Sequence, residues 1–246
     1  MVNTLDRDPS LLDPNQWMLL TNLIHNYEEK NLLSLALKIS NERNILNKSN
    51  VNELIQMFYD AAGNFLRKNK NISELSPSDR SILLHTSSTN LTCFGAQFIY
   101  FYGHLIDHEL FWSYLNPIYG RLTMDLSRWS AKFAHTDLIL SKLALCLFAL
   151  SNNSRIFYSD IRVEYENSKN ILSIENQYVE LTWKYLLYKY DFQRSIKSFL
   201  YIIQWFLSAT VFLSHAHNVQ LHINDIETLV ERTELELILD DIDDDN

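Results

Sequence analysis

The sequence predicts an all-helical protein built from long helices, and three observations carry this. The first is the scarcity of punctuation: four Gly and four Pro in 246 residues, where average usage would give about 12%, allow few tight turns. The second is apolar spacing at steps of three and four over several long stretches. The third is the run from Ile82 to Leu105, which carries almost no charge, as a helix covered on both sides would. Turn-rich sandwiches, barrels, phosphate loops and doubly wound sheets all consume more Gly. With 47% apolar residues, the length suits one large domain or two small ones. A formal charge of −9 disfavours nonspecific nucleic-acid binding, which needs clustered Lys and Arg.

Along the chain, Trp17, Leu20, Leu23, Ile24 and Tyr27 follow helical spacing behind Pro14, the first helix. Residues 29–49 are weakly periodic and rich in Asn and Lys, a partly helical connector. Asn50 and Glu53 stand in capping-box spacing before Val51, Leu54, Ile55, Phe58, Ala62 and Phe65, so a helix should run from there to about Lys70. Ser76, Pro77 and Asp79 supply an N-cap, a first-turn proline and a first-turn carboxylate for the uncharged central helix. Asn116, Pro117 and Gly120 predict a turn or short hairpin. Helices follow over about 123–133, 137–150, 174–190 and 194–213, with a break at Ser151–Arg155 and a loop or frayed helix over 156–170. Asn224 and Glu227 offer another capping box for a last helix that runs into Asp240, Asp241 and Asp243 to Asp245, which read as a solvated acidic end.

Several chemistries find no motif. Cys93 and Cys146 sit inside apolar runs and read as reduced and buried; they cannot build a disulfide framework or a four-thiolate zinc site. No signal peptide is expected at the N-terminus, so the sequons at Asn47, Asn71, Asn90 and Asn152 should be idle. The apolar stretch Phe199–Leu213 falls short of the ~20 residues a membrane span needs. His104 with His108, and His215, His217 and His222, lack the partners that zinc requires. No serine, histidine and acid order suggests a nucleophile, so an enzyme is not expected, and no cofactor is called for.

The stretch FLRKNKNISELSPSDRSILL, Phe65 to Leu84, resembles the signature of nuclear receptor ligand-binding domains. Phe65, Arg67, Leu75, Asp79, Leu83 and Leu84 match it, and Leu66, Ile72 and Arg80 are near matches. QWMLLTNLIHNYEE resembles the family's first helix, HTDLILSKLALCLFAL its eighth, ILSIENQYVELTWKYLLYKY its ninth and RSIKSFLYIIQWFLSATVFLSHAH its tenth. The resemblance covers roughly residues 14–240, between an N-terminal extension (1–13) and an acidic tail (241–246). It implies a three-layer antiparallel helical sandwich of about twelve helices with one short β-turn near Pro117.

What the resemblance implies about function is specific. A coactivator or corepressor helix of the Leu-x-x-Leu-Leu kind would lie in a groove, its carbonyl end capped by Arg67 and its amide end by an acid on the last helix. That acid is expected at Glu236, with Asp241 as the second register, and a last helix that only covers the core as the third. The floor would include Arg80, Ser81 and Leu84, with His85 at the edge; Ser81 and His85 stand where aliphatic and acidic residues are usual. A small lipophilic ligand would be lined by Val51, Ile55, Phe58, Thr92, Cys93, Ala96 and Ile99. A steroid-type polar clamp is absent, because its two positions fall on Phe58 and Ile99. The implied role is transcriptional regulation in the nucleus, or nucleus and cytoplasm, as a homo- or heterodimer through the tenth helix. The family's DNA-binding module uses eight zinc-ligating cysteines, so direct DNA binding by this chain is not expected, nor is membrane insertion. The competing readings are a helical scaffold or adaptor without a cavity and, third, a helical enzyme.

Overall fold

A computed structural model describes residues 11–27, 29–42, 46–151 and 165–244, and these form eleven helices. They are α1 (Pro14–Asn26), α2 (Glu29–Asn41), α3 (Lys48–Lys68), α4 (Lys70–Ser73), α5 (Pro77–Tyr102), α6 (Glu109–Tyr119), α7 (Arg121–Ala131), α8 (Leu138–Leu150), α9 (Ser168–Lys189), α10 (Phe192–Ala216) and α11 (Gln220–Asp244). No strand occurs among the described residues.

Local chemistry starts most of them. Asp13 and Gln16 close a reciprocal capping box on α1, with the Gln16 N–H donating to Asp13 over 2.9 Å. Ser76 accepts from the Asp79 amide, and Pro77 opens α5, as its sequence requires. Asp137 receives the amides of Ile139 and Leu140 at the head of α8. Asn167 and Asp191 cap α9 and α10.

The uncharged α5 lies in the middle of the molecule, packed against α2, α3, α7, α8, α10 and α11. Several of its polar side chains are met inside: Ser88 donates to the Leu84 carbonyl, Ser87 to that of Ala149 and Asn90 to that of Phe148, which ties α5 to the end of α8. Gln97 on α5 accepts from the Trp205 indole and the Ser130 hydroxyl, both at 2.8 Å, joining α10 and α7 to it. Lys142, on the largely apolar and mostly buried α8, donates to the Ile24 carbonyl at 2.7 Å and so holds the end of α1. Both cysteines are buried and free.

Some elements differ from the sequence reading, each for a physical reason. Residues 29–41 form a full helix, α2, because its apolar face is buried on α3 and α5; tertiary burial outweighs weak periodicity. The cap of α3 is Asn47, whose side chain accepts from the Asn50 amide, so Asn50 lies inside the helix. The turn or hairpin at Pro117 is not formed. Pro117 stands in the last turn of α6, where its missing N–H costs a single bond, and Gly120 alone separates α6 from α7 with φ +83, a region that favours glycine. Asn224 lies inside α11, which begins at Gln220. The apolar stretch at 199–213 belongs to a longer helix: α10 has 25 residues and, by length and composition alone, could cross a membrane. Here it packs against α5, α7 and α9. Ser151 ends α8 as expected of the break, while residues 152–164 fall outside the described residues, and α9 begins at Ser168.

Candidate functional site

The residues named for a helix-binding groove meet at one place, where α11 crosses the end of α3 and the start of α5. Arg67, in the last turn of α3, grips Asp240 with both sides of its guanidinium, at 2.6 and 2.7 Å, and reaches Glu236 at 3.2 Å. Arg80, buried on α5, donates to the Ser73 carbonyl and pairs with Asp241. Ser81 donates to Glu234, and His85 stands 3.7 Å from the same carboxylate. Leu84 lies fully enclosed. Hydrogen bonds from Arg67 hold the Asp240 carboxyl below its usual range, and those from Arg80 do the same for Asp241. The acidic end is therefore not a solvated run throughout: two of its carboxylates are bound by arginines from two other helices.

Arg67 and Glu236, expected to cap opposite ends of a partner helix, instead contact each other. The signature's Asp79 serves the fold rather than the groove. Its buried carboxylate accepts the amides of Glu166 at 2.7 Å and Asn167 at 3.1 Å, which fixes the approach to α9.

The two halves of α11 are held differently. In its first half His222, Ile226, Leu229, Val230 and Thr233 are buried. Beyond Thr233 only Leu237 is buried among the apolar residues, and the attachment passes to the carboxylates of Glu234, Glu236, Asp240 and Asp241. On the opposite face Leu235, Ile238 and Leu239 are each more than half exposed.

Gly63 makes the close approach of α11 to α3 feasible. A Cβ there would lie 2.7 Å from Leu229 Cδ1 and 2.9 Å from Thr233 Oγ1. Gly63→Ala is therefore expected to cost about 1–3 kcal/mol and to raise amide exchange in α11 while leaving α8 protected. Hydrogen-exchange mass spectrometry checks this, and unchanged exchange in α11 would count against the close packing.

A second feature lies under α11. Ile55, Phe58, Thr92, Cys93 and Ala96 line a cavity of about 50 Å³ together with Tyr59, Tyr100, Tyr119, Met124, Phe212 and His222. Val51 and Ile99, named with them from sequence, are buried but do not line it. Inside, Tyr59 hydrogen-bonds His222 Nδ1 at 2.8 Å, and His222 Nε2 faces Cys93 Sγ at 3.6 Å. Burial pushes His222 down to about 4 and the Cys93 thiol up. The pair is a neutral imidazole beside a neutral thiol, a poor nucleophile. Thr92 Oγ1 has no hydrogen-bond partner among the described residues.

Sequence reasoning missed Asp240, the acid that Arg67 holds best, because Asp240 and Asp241 are adjacent and only the phase of α11 decides which faces Arg67. It also did not place Tyr59, Tyr119 or His222 at the cavity: His222 was weighed with His215 and His217 only as a zinc ligand, and its turn into the apolar interior depends on the phase of α11. No protein-family profile and no curated protein matches the chain.

Proposed function

We propose that this chain is a nuclear receptor ligand-binding-like module that regulates transcription by holding coactivator or corepressor helices on the surface carrying Arg67 and Arg80. One observation carries the reading: two arginines on two different helices grip the carboxylates of a helix laid across both, so the surface is suited to receiving a helix and its own α11 occupies it. The central position of α5, enclosed by six helices, supports the three-layer sandwich that the resemblance implies. The outward apolar residues of α10, among them Phe192, Ile196, Leu200 and Leu207, suit dimerisation through that helix. A nuclear or nucleocytoplasmic location follows from the same reading.

Recruitment could depend on a ligand or be constitutive, and the constitutive mode is better supported. The cavity of about 50 Å³ is roughly a third of the ~150 Å³ that admits benzene, far below what a sterol-sized ligand needs. That same observation favours the second reading, a ligand-independent helical adaptor.

A fluorescence-polarisation titration with a labelled Leu-x-x-Leu-Leu peptide tests the groove. The wild-type chain should bind weakly, because α11 is in place, and the Asp240→Asn, Asp241→Asn variant at least about tenfold more tightly. In that variant, Arg67→Ala should then cost about 1–3 kcal/mol, as removal of a charged hydrogen-bond partner does. No binding by either protein would sink the proposal.

A further inference from the structure

Resting on the reading of this surface as a helix receptor, we infer that its preferred occupant is an acidic helix, and that α11 is the resident example which partners displace. The argument is charge and register. Arg67 takes carboxylates one turn apart, Glu236 and Asp240, with Leu237 buried between them. Arg80 takes the next residue, Asp241, from the other flank. Ser81 supplies a further donor to Glu234, and His85 lies beside it. A partner matching this site carries an acid, an apolar residue directly after it, and two adjacent acids four and five positions beyond the first. A neutral helix offers the guanidinium groups only its terminal dipole, whereas an acidic one offers charge-assisted and bidentate hydrogen bonds.

The site belongs to the second half of α11, so a short competitor can take it while the first half stays buried. Local release of that half withdraws one buried apolar side chain of α11, Leu237, and leaves Ile226, Leu229 and Val230 in place.

The test uses the full chain carrying Asp240→Asn and Asp241→Asn, with Gly63→Ala as an independent way to loosen α11, and circular dichroism to show that each is folded. The probe is a fluorescein-labelled peptide of residues 232–244, compared with the same peptide bearing Gln at 236 and Asn at 240 and 241. The acidic peptide should bind both loosened proteins at least tenfold more tightly than its neutral counterpart, and Arg67→Ala with Arg80→Ala should remove that difference. A neutral peptide that binds equally well overturns the acid preference. In that case a Leu-x-x-Leu-Leu peptide that still binds leaves the receptor reading standing; if none of the three peptides binds, both fail.

Discussion

Trp205→Ala is expected to lower the stability of the chain by about 3–5 kcal/mol, the usual cost of truncating a large enclosed aromatic. Trp205 is fully buried, stacks on Phe94 with ring centroids 4.0 Å apart, and donates its indole N–H to Gln97. Phe94 in turn stacks on Phe148 at 4.6 Å, so the cavity would open where α5, α8 and α10 meet. The loss is amplified by Gln97, whose amide nitrogen already lacks a partner among the described residues and whose oxygen would keep only Ser130. Trp205→Phe keeps a ring and removes the hydrogen bond, so it should cost less than the alanine. Urea denaturation of the three proteins checks the order. A Trp205→Ala loss below about 1 kcal/mol would show that this layer repacks freely, contrary to the density expected of an enclosed core.

Asp137→Ala should be comparably severe, about 3–5 kcal/mol, because it leaves the Tyr185 and Tyr190 hydroxyls and the cap amides of α8 without their acceptor, each stranded donor costing about 1–3 kcal/mol. The Asp137 carboxylate accepts from Tyr185 at 3.0 Å, Tyr190 at 2.8 Å and Lys189 at 2.8 Å, and it caps α8 through Ile139 and Leu140. It thereby joins the head of α8 to the tail of α9. Burial alone would raise its pKa, but the hydrogen bonds from Lys189, Tyr190 and Tyr185 outweigh it and the native value lies below the usual one. The sign follows from linkage. With a native pKa depressed below the unfolded ~3.9, the contribution is complete above that value and is lost as pH falls through the native one. The gap between wild type and Asp137→Ala, measured by denaturant titration at pH 7 and again near pH 3, should therefore shrink at the lower pH. A gap that stays constant would mean that the aspartate acts through packing rather than charge.

Much of this architecture was legible in the chain, and the reason is locality. Ser76, Pro77 and Asp79 specify the start of α5 within four residues, and Asp137 stands directly before the apolar run it caps. The absence of charge from Ile82 to Leu105 required a central helix, and α5 is central. What escaped the reading depends on distant contacts. Asn47 and Asn50 are both acceptable caps, and burial of Val51 and Leu54 decides between them by setting the helix phase. A proline usually ends a helix, yet Pro117 is carried in the final turn of α6 because Phe111, Trp112 and Leu115 of that helix are already buried. The candidate site was half legible: Arg67, Arg80, Ser81 and Glu236 were named and do meet. Their arrangement could not be read, since Arg67 and Asp240 lie 173 positions apart and no local pattern reports which face α11 turns inward.

The change of attachment at Thr233 has a consequence for how the chain responds to its medium. Salt shortens the reach of exposed charge pairs, to a Debye length of about 3 Å at 1 M, while salting-out ions strengthen apolar burial. The half of α11 that rests on Leu229 and Val230 is therefore strengthened by salting-out ions, whereas screening weakens the contacts of Glu236 and Asp240 with half-buried Arg67, and that of Asp241 with buried Arg80 much less. The second half of α11 is accordingly expected to loosen as salt is added while its first half stays seated, so that ionic strength alone would grade the acceptor surface on offer even when no partner is present.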